Sequence, residues 1–147
     1  MAPTNDDFTA RLMNEMDFEL LQFIKTKVTS FIKWDLIKFF HQNPHTTDTV
    51  DNIAKYTGRD EQAIQIELEN LTRSGLMLKT TIGKTAVYTI TSNTQLRKSI
   101  KQFVTACEDR HFRVKAVYHI LQRLDKASIT TDQNQTLNRK GNLTHEA

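Results

Sequence analysis

Residues 49–91, TVDNIAKYTGRDEQAIQIELENLTRSGLMLKTTIGKTAVYTIT, constrain the fold more than any other stretch of the chain. Two segments with apolar residues at helical spacing flank a glycine turn at Gly58. Val50, Ile53 and Ala54 mark the buried face of the first, over residues 50–56, with Thr47 and Asp48 as candidate N-caps. Ile64, Leu68 and Leu71 mark the stripe of the second, over residues 60–74, with Gly75 placed as its C-cap. The pattern then changes period. Residues 76–81 and 86–91 are β-capable, the latter alternating through Val87, Tyr88, Thr89 and Ile90, with residues 82–85 as the connecting tip. A chain in this order builds a short rod followed by a flat hairpin, a combination that fits a nucleic-acid groove and the backbone beside it.

The flanking segments are helical. Over residues 6–28, Phe8, Leu12, Met16, Leu20, Phe23 and Ile24 fall on one stripe, with Asp6 and Asp7 suited to a helix start. Thr29-Ser30 reads as an internal cap. Residues 31–41 carry Ile32, Leu36, Phe39 and Phe40 on one face and end before Asn43-Pro44, because proline disfavours helix in the residue before it. Beyond the hairpin, Leu96, Ile100, Phe103, Cys107, Val114, Val117, Leu121 and Leu124 follow alternating steps of four and three, interrupted at Arg110. That seam predicts a long helix packed on a partner helix. A break near residues 109–111 is the alternative. From residue 127 the chain is polar and aperiodic and reads as a disordered tail. The expected organisation is an N-terminal helical extension (1–30), a central domain (31–93), a dimerisation helix or helices (94–126) and the tail (127–147). The fold class is mainly α with one small β-hairpin.

Composition narrows the partners. At 147 residues with 38% hydrophobic residues, the chain supports one modest core. No apolar run approaches the ~20 residues needed to cross a bilayer, and the polar start MAPTNDDFTARL is not a secretory signal. The single Cys107 cannot form an internal disulfide, which fits a reducing cytoplasm. The net charge of +3 is unevenly spread: residues 94–126 hold eight Lys/Arg against three acids. Basic surface attracts phosphate, although a modest excess also suits a solvated helix.

At IAKYTGRDEQAIQIELENLTRSGLMLK followed by AVYTIT, the sequence resembles the winged helix-turn-helix transcriptional regulators, nearest to the MarR-like and ArsR-like groups. The resemblance covers about residues 31–91. It implies binding of double-stranded DNA by a homodimer, with the second helix of the motif in the major groove. The matching positions are Arg59, Gln62, Gln65, Ile66, Asn70 and Arg73. On the wing they are Lys79, Thr80, Thr81, Lys84 and Thr85. Gln and Asn suit adenine, Arg suits guanine, and an exposed Ile suits a thymine methyl. One feature strains this reading. Asp60, Glu61, Glu67 and Glu69 put four acids and no base between residues 60 and 70. The alternative is a winged-helix adaptor that binds protein rather than specific DNA.

Other sites have weaker signals. Cys107, Asp109, His111 and His119 share the last helical segment, and ArsR-like sensors place metal ligands there, but the spacing departs from that pattern and no tetrahedral set is visible. No metal or cofactor is expected. Trp34, Phe31, Phe39, Phe40 and Tyr56 read as core, or as the lining of an effector pocket. No phosphate loop, HExxH or CxxC motif points to catalysis, so an enzyme is not expected.

Overall fold

The computed structural model describes residues 17–124. Among these are six α-helices and one two-stranded antiparallel hairpin. In chain order they are α1 (Phe18–Lys27), α2 (Phe31–Gln42), α3 (Val50–Thr57), α4 (Glu61–Arg73), β1 (Met77–Ile82), β2 (Thr85–Ile90), α5 (Thr94–Ala106) and α6 (residues 110–124). The expectations for Phe8, Leu12, Met16, residues 125–126 and the tail fall outside the described residues.

Side-chain caps set most of the helix starts. The Asp17 carboxylate accepts from the backbone N–H groups of Glu19 and Leu20, at 2.9 and 3.2 Å, with Asp17 itself non-helical at ψ 135°. The helix expected over residues 6–28 therefore does not run through Asp17, and α1 begins at Phe18, because the cap satisfies the amides of its first turn. Ser30 caps α2 through the N–H of Lys33, as the Thr29-Ser30 pair predicts. For α3 the expected cap is corrected. Thr49 holds that position, while Asp48 is extended and exchanges backbone hydrogen bonds with Tyr88 in an isolated bridge. The Asp48 carboxylate still serves the helix, accepting at 2.8 Å from the Thr49 N–H, the Asn52 amide and the Tyr56 hydroxyl.

Gly58 ends α3 at φ 66°, a conformation that strains any residue with a Cβ. Ser74 is the C-cap of α4, and Gly75 follows it rather than being the cap itself. The hairpin tip is tighter than expected. Ile82 pairs with Thr85, so only Gly83 and Lys84 form the loop. Gly83 alone has positive φ (65°), as a two-residue turn of the II′ kind requires.

One core joins these elements. α4 packs against α2, α3 and β1, while α5 packs against α1 and α2. Leu36, Phe40, Ile53, Ile64, Leu68, Leu71 and Tyr88 are fully buried. Ile37 joins this core where the sequence pattern favours Ile32, which is only partly buried. Phe103 lies among the rings of Phe23, Trp34 and Phe112, with centroids 5.5, 5.6 and 6.1 Å away. A fully buried ring such as Phe103 contributes about 1.5–3 kcal/mol by leaving water.

The last helical run is two helices. α5 stops at Cys107, and the Arg113 guanidinium donates to the carbonyls of Cys107 (2.8 Å) and Glu108 (3.2 Å). The Asp109 carboxylate accepts from the His111 N–H and opens α6. One end is thus covered by an arginine and the next start by an aspartate, so the break is satisfied locally. It also overturns the continuous seam. α6 buries Phe112, Ala116 and Ile120, whereas Val114, Leu121 and Leu124 are 54%, 49% and 39% exposed and Val117 is half-buried.

Candidate nucleic-acid interface

α4 is a rod with one face in the core and one in solvent. Its start is fixed by Asp60, whose Oδ2 accepts from the Ala63 N–H at 3.1 Å. With Ile64, Leu68 and Leu71 inward, the outward residues at helical spacing are Gln62, Gln65, Ile66, Glu69 and Arg73, which line a shallow groove of about 460 Å³. Ile66 is 60% exposed, an apolar side chain left on a polar face. Asn70 lies at the flank, its Oδ1 accepting from Arg73 Nη2 at 2.8 Å.

The four acids of this rod do not form one negative face. Asp60 caps the helix, and Glu61 stands in its first turn, where the helix dipole favours a negative charge. Glu67 turns toward α2, with its Oε2 3.4 Å from Lys33 Nζ. Glu69 turns toward the hairpin: Lys79 Nζ donates to its Oε1 at 2.7 Å, and the Tyr88 hydroxyl donates to the same oxygen. The hydrogen bond from Lys79, followed by that from Tyr88, holds the Glu69 carboxyl below its ordinary pKa. The same bond raises Lys79, while burial and then Glu69 raise Tyr88. Lys79 also sits 5.9 Å from the centre of the Tyr88 ring. This cluster ties the rod to both strands, because Lys79 and Tyr88 are opposite each other in the register.

The sequence-derived positions therefore separate into groups. Gln62, Gln65, Ile66 and Arg73 come together on the outward face of α4. Lys84 stands exposed at the hairpin tip. Thr80, Thr81 and Thr85 are exposed on the strands, with Thr85 paired to Ile82 rather than free in a loop. Thr80 shares the outer hairpin face with the exposed Leu78 and Ile82. Arg59 is not gathered with the groove residues. It precedes the cap of α4, and its Nε and Nη2 both donate to Asp35 Oδ2 on α2, the former at 2.9 Å. Lys79 is paired with Glu69 while remaining exposed. Neither ion pair has a sequence signal short of the fold, since Arg59 and Asp35 are 24 residues apart.

Much of the basic surplus beyond the hairpin serves the scaffold. Arg97, Arg113 and Arg123 donate to the backbone carbonyls of Thr91, Cys107 and Lys25. Lys98 and Lys101 line a cleft opposite Asp17 and Glu19 of α1. His41, near Arg97 and Lys101, is held below its ordinary pKa by burial first and by those two charges next.

The aromatic set divides in the same way. Phe40 is core, and Phe39 stacks on Tyr56 with centroids 5.8 Å apart. Phe31 and Trp34 line a separate cleft beside Cys107. Burial pushes the Cys107 thiol up to about 11, so it is protonated and unreactive at neutral pH. Among the described residues, no three His, Cys, Asp or Glu side chains gather as metal ligands, and no helix is long and apolar enough to cross a membrane.

No protein-family model matches the chain, and no curated protein matches it.

Proposed function

We propose that this chain is a DNA-binding transcriptional regulator that reads double-stranded DNA through a winged helix-turn-helix. In this reading α3, the Gly58 turn and α4 are the helix-turn-helix, and β1–β2 is the wing. The observation that carries the proposal is the outward face of α4. Gln62, Gln65, Ile66 and Arg73 share it with Glu69, whose charge is paired with Lys79, while Glu67 turns aside to Lys33. That removes much of the repulsion that four acids would otherwise exert on a polyanion. The glutamine amides suit adenine edges, Ile66 a thymine methyl, Arg73 a guanine or a phosphate, and Lys84 the backbone or minor groove. The Glu69–Lys79–Tyr88 cluster supports rod and hairpin docking as one preorganised body. Arg59 and Lys79 contribute less, because each must give up an internal carboxylate to reach phosphate.

The regulator acts as a cytoplasmic homodimer assembled through residues 94–126. Support comes from the apolar stripe that α6 leaves outward among the described residues, with Val114, Leu121 and Leu124 exposed and Val117 half-buried. Two rods related by a twofold axis would meet half-sites about 34 Å apart. Shifts of the flanking helices would change that spacing and hence promoter occupancy.

Selection of bound fragments from random DNA tests the reading. Specific binding should weaken steeply with salt. The double change Lys84→Glu, Gln65→Ala should lower affinity by about tenfold or more, as loss of one base contact and one phosphate contact implies. Unchanged affinity in that variant would refute the contact surface. Failure to recover any DNA would favour the adaptor reading, in which the exposed Ile66, Leu78 and Ile82 meet a protein. A monomeric mass by light scattering at micromolar concentration would refute the dimer.

A further inference from the structure

The C-terminal helices meet the N-terminal pair along two seams, α5 against α2 and α6 against α1, and each seam encloses one imidazole. His41, in the last turn of α2, is half-buried, and its Nδ1 is shut off from solvent without a hydrogen-bond partner. Arg97 and Lys101 face it from α5. On its own side, Lys38 lies one turn earlier and His45 just past the helix end.

His119, on α6, is also half-buried, and its Nε2 is enclosed without a partner. It lines a cleft of about 290 Å³ with Ile24, Lys25 and Val28. Lys25 faces it from α1, while Lys115 and Arg123 flank it one turn away on α6. The Arg123 guanidinium crosses this seam and donates to the Lys25 carbonyl at 3.2 Å. Among the described residues, no carboxylate pairs with either imidazole, and the three ion pairs lie elsewhere.

A protonated imidazole donates from both nitrogens and carries a full charge. At each seam the added N–H would be buried with no acceptor, and the charge would stand among cations. Burial first, and the neighbouring cations next, hold both rings below the ordinary value of 6.5. The closed seams therefore bind these protons less readily than opened ones. Their advantage is complete above pH 6.5 and is lost as the pH falls below it.

We propose that His41 and His119 make the docking of α5 and α6 on α1 and α2 acid-sensitive, so that protonation of the two rings releases the C-terminal helices from the N-terminal pair. The device lies in the flanking helices, so it stands whether or not α4 reads DNA, and its test uses no nucleic acid.

Trp34 is the single tryptophan of the chain and packs edge-on to Phe103 of α5, with centroids 5.6 Å apart. Its emission therefore reports the α2–α5 seam. The full chain is taken from about pH 8 to about pH 5, the range in which histidine changes charge, with acrylamide as quencher. The expected result is a reversible red shift of Trp34 emission and a larger quenching constant on acidification. The double change His41→Gln, His119→Gln supplies polar side chains that cannot take up a proton, and its emission should stay constant over the same range. An unchanged parent would overturn the proposal, and so would an equal red shift in the double variant. Nuclear magnetic resonance of the parent adds a readout that needs no variant. The His41 and His119 rings should titrate at lower pH than the exposed His45 and His111, and midpoints no lower than theirs would also overturn the proposal. Should the double variant fail to fold, the parent emission and the ring titrations decide alone.

Discussion

The rod α4 and the final helix α6 both carry an apolar stripe on a charged background, yet they end in different situations. α4 is held on three sides. Its stripe of Ile64, Leu68 and Leu71 is buried, and its flanking acids reach Lys33 on α2 and Lys79 on β1. α6 is held on one side by Phe112, Ala116 and Ile120, and keeps a second stripe, Val114, Leu121 and Leu124, toward solvent. The lesson is that a periodic stripe predicts that a face will be covered, without saying by what. Where several elements converge, the chain covers it. At the periphery, a helix satisfies the core with one face and leaves apolar residues exposed on another.

The largest expected effects test that contrast directly. Phe103→Ala and Leu68→Ala remove fully buried side chains and should cost about 3–5 and 2–5 kcal/mol by chemical denaturation. Leu121→Ala, measured in protein dilute enough to be monomeric, should stay within about 0.5 kcal/mol. A loss at Leu121 as large as that at Leu68 would erase the distinction between the two helices.

Smaller effects probe how the rod is punctuated. Gly58→Ala meets no neighbour within 4 Å, so its cost is backbone strain at φ 66°, about 1–2 kcal/mol. Asp60→Ala should cost about 1 kcal/mol through loss of the cap on Ala63. Equal thermal midpoints for parent and either variant would mean that these residues do not define where α4 begins.

The smallest effect concerns the tie between rod and hairpin. The Glu69 carboxyl is depressed below its ordinary value of 4.5, so it binds a proton less readily folded than unfolded. Its contribution is complete above that pH and is lost as pH falls through the folded value. Because the pair is partly exposed, that contribution stays below about 1 kcal/mol. The parent should therefore lose slightly more stability than Glu69→Gln on acidification below pH 4.5. Parallel melting curves across that window would remove Glu69 as a staple.

Legibility followed the same division. The stripe of α4, the cap at Ser30, the positive φ at Gly58 and the alternation of β2 were readable, because each depends on residues within a few positions. The α5–α6 break was harder. Its signals are Asp109 capping one helix and Arg113 covering the end of the other, and neither residue type is a helix breaker. A strict heptad count ran through them. At the candidate interface, the outward placement of Gln62, Gln65 and Ile66 followed from the buried stripe. The pairing of Glu69 with Lys79 and of Arg59 with Asp35 did not.

Local physics thus let the chain alone determine a helical protein with one hairpin, the inward face of its rod and the turns between them, since capping and periodicity act over single turns. Which charges pair with each other, and which apolar stripe of the last helix faces the core, were decided by tertiary packing. Those outcomes depend on distances between groups tens of residues apart, and sequence spacing does not encode such distances.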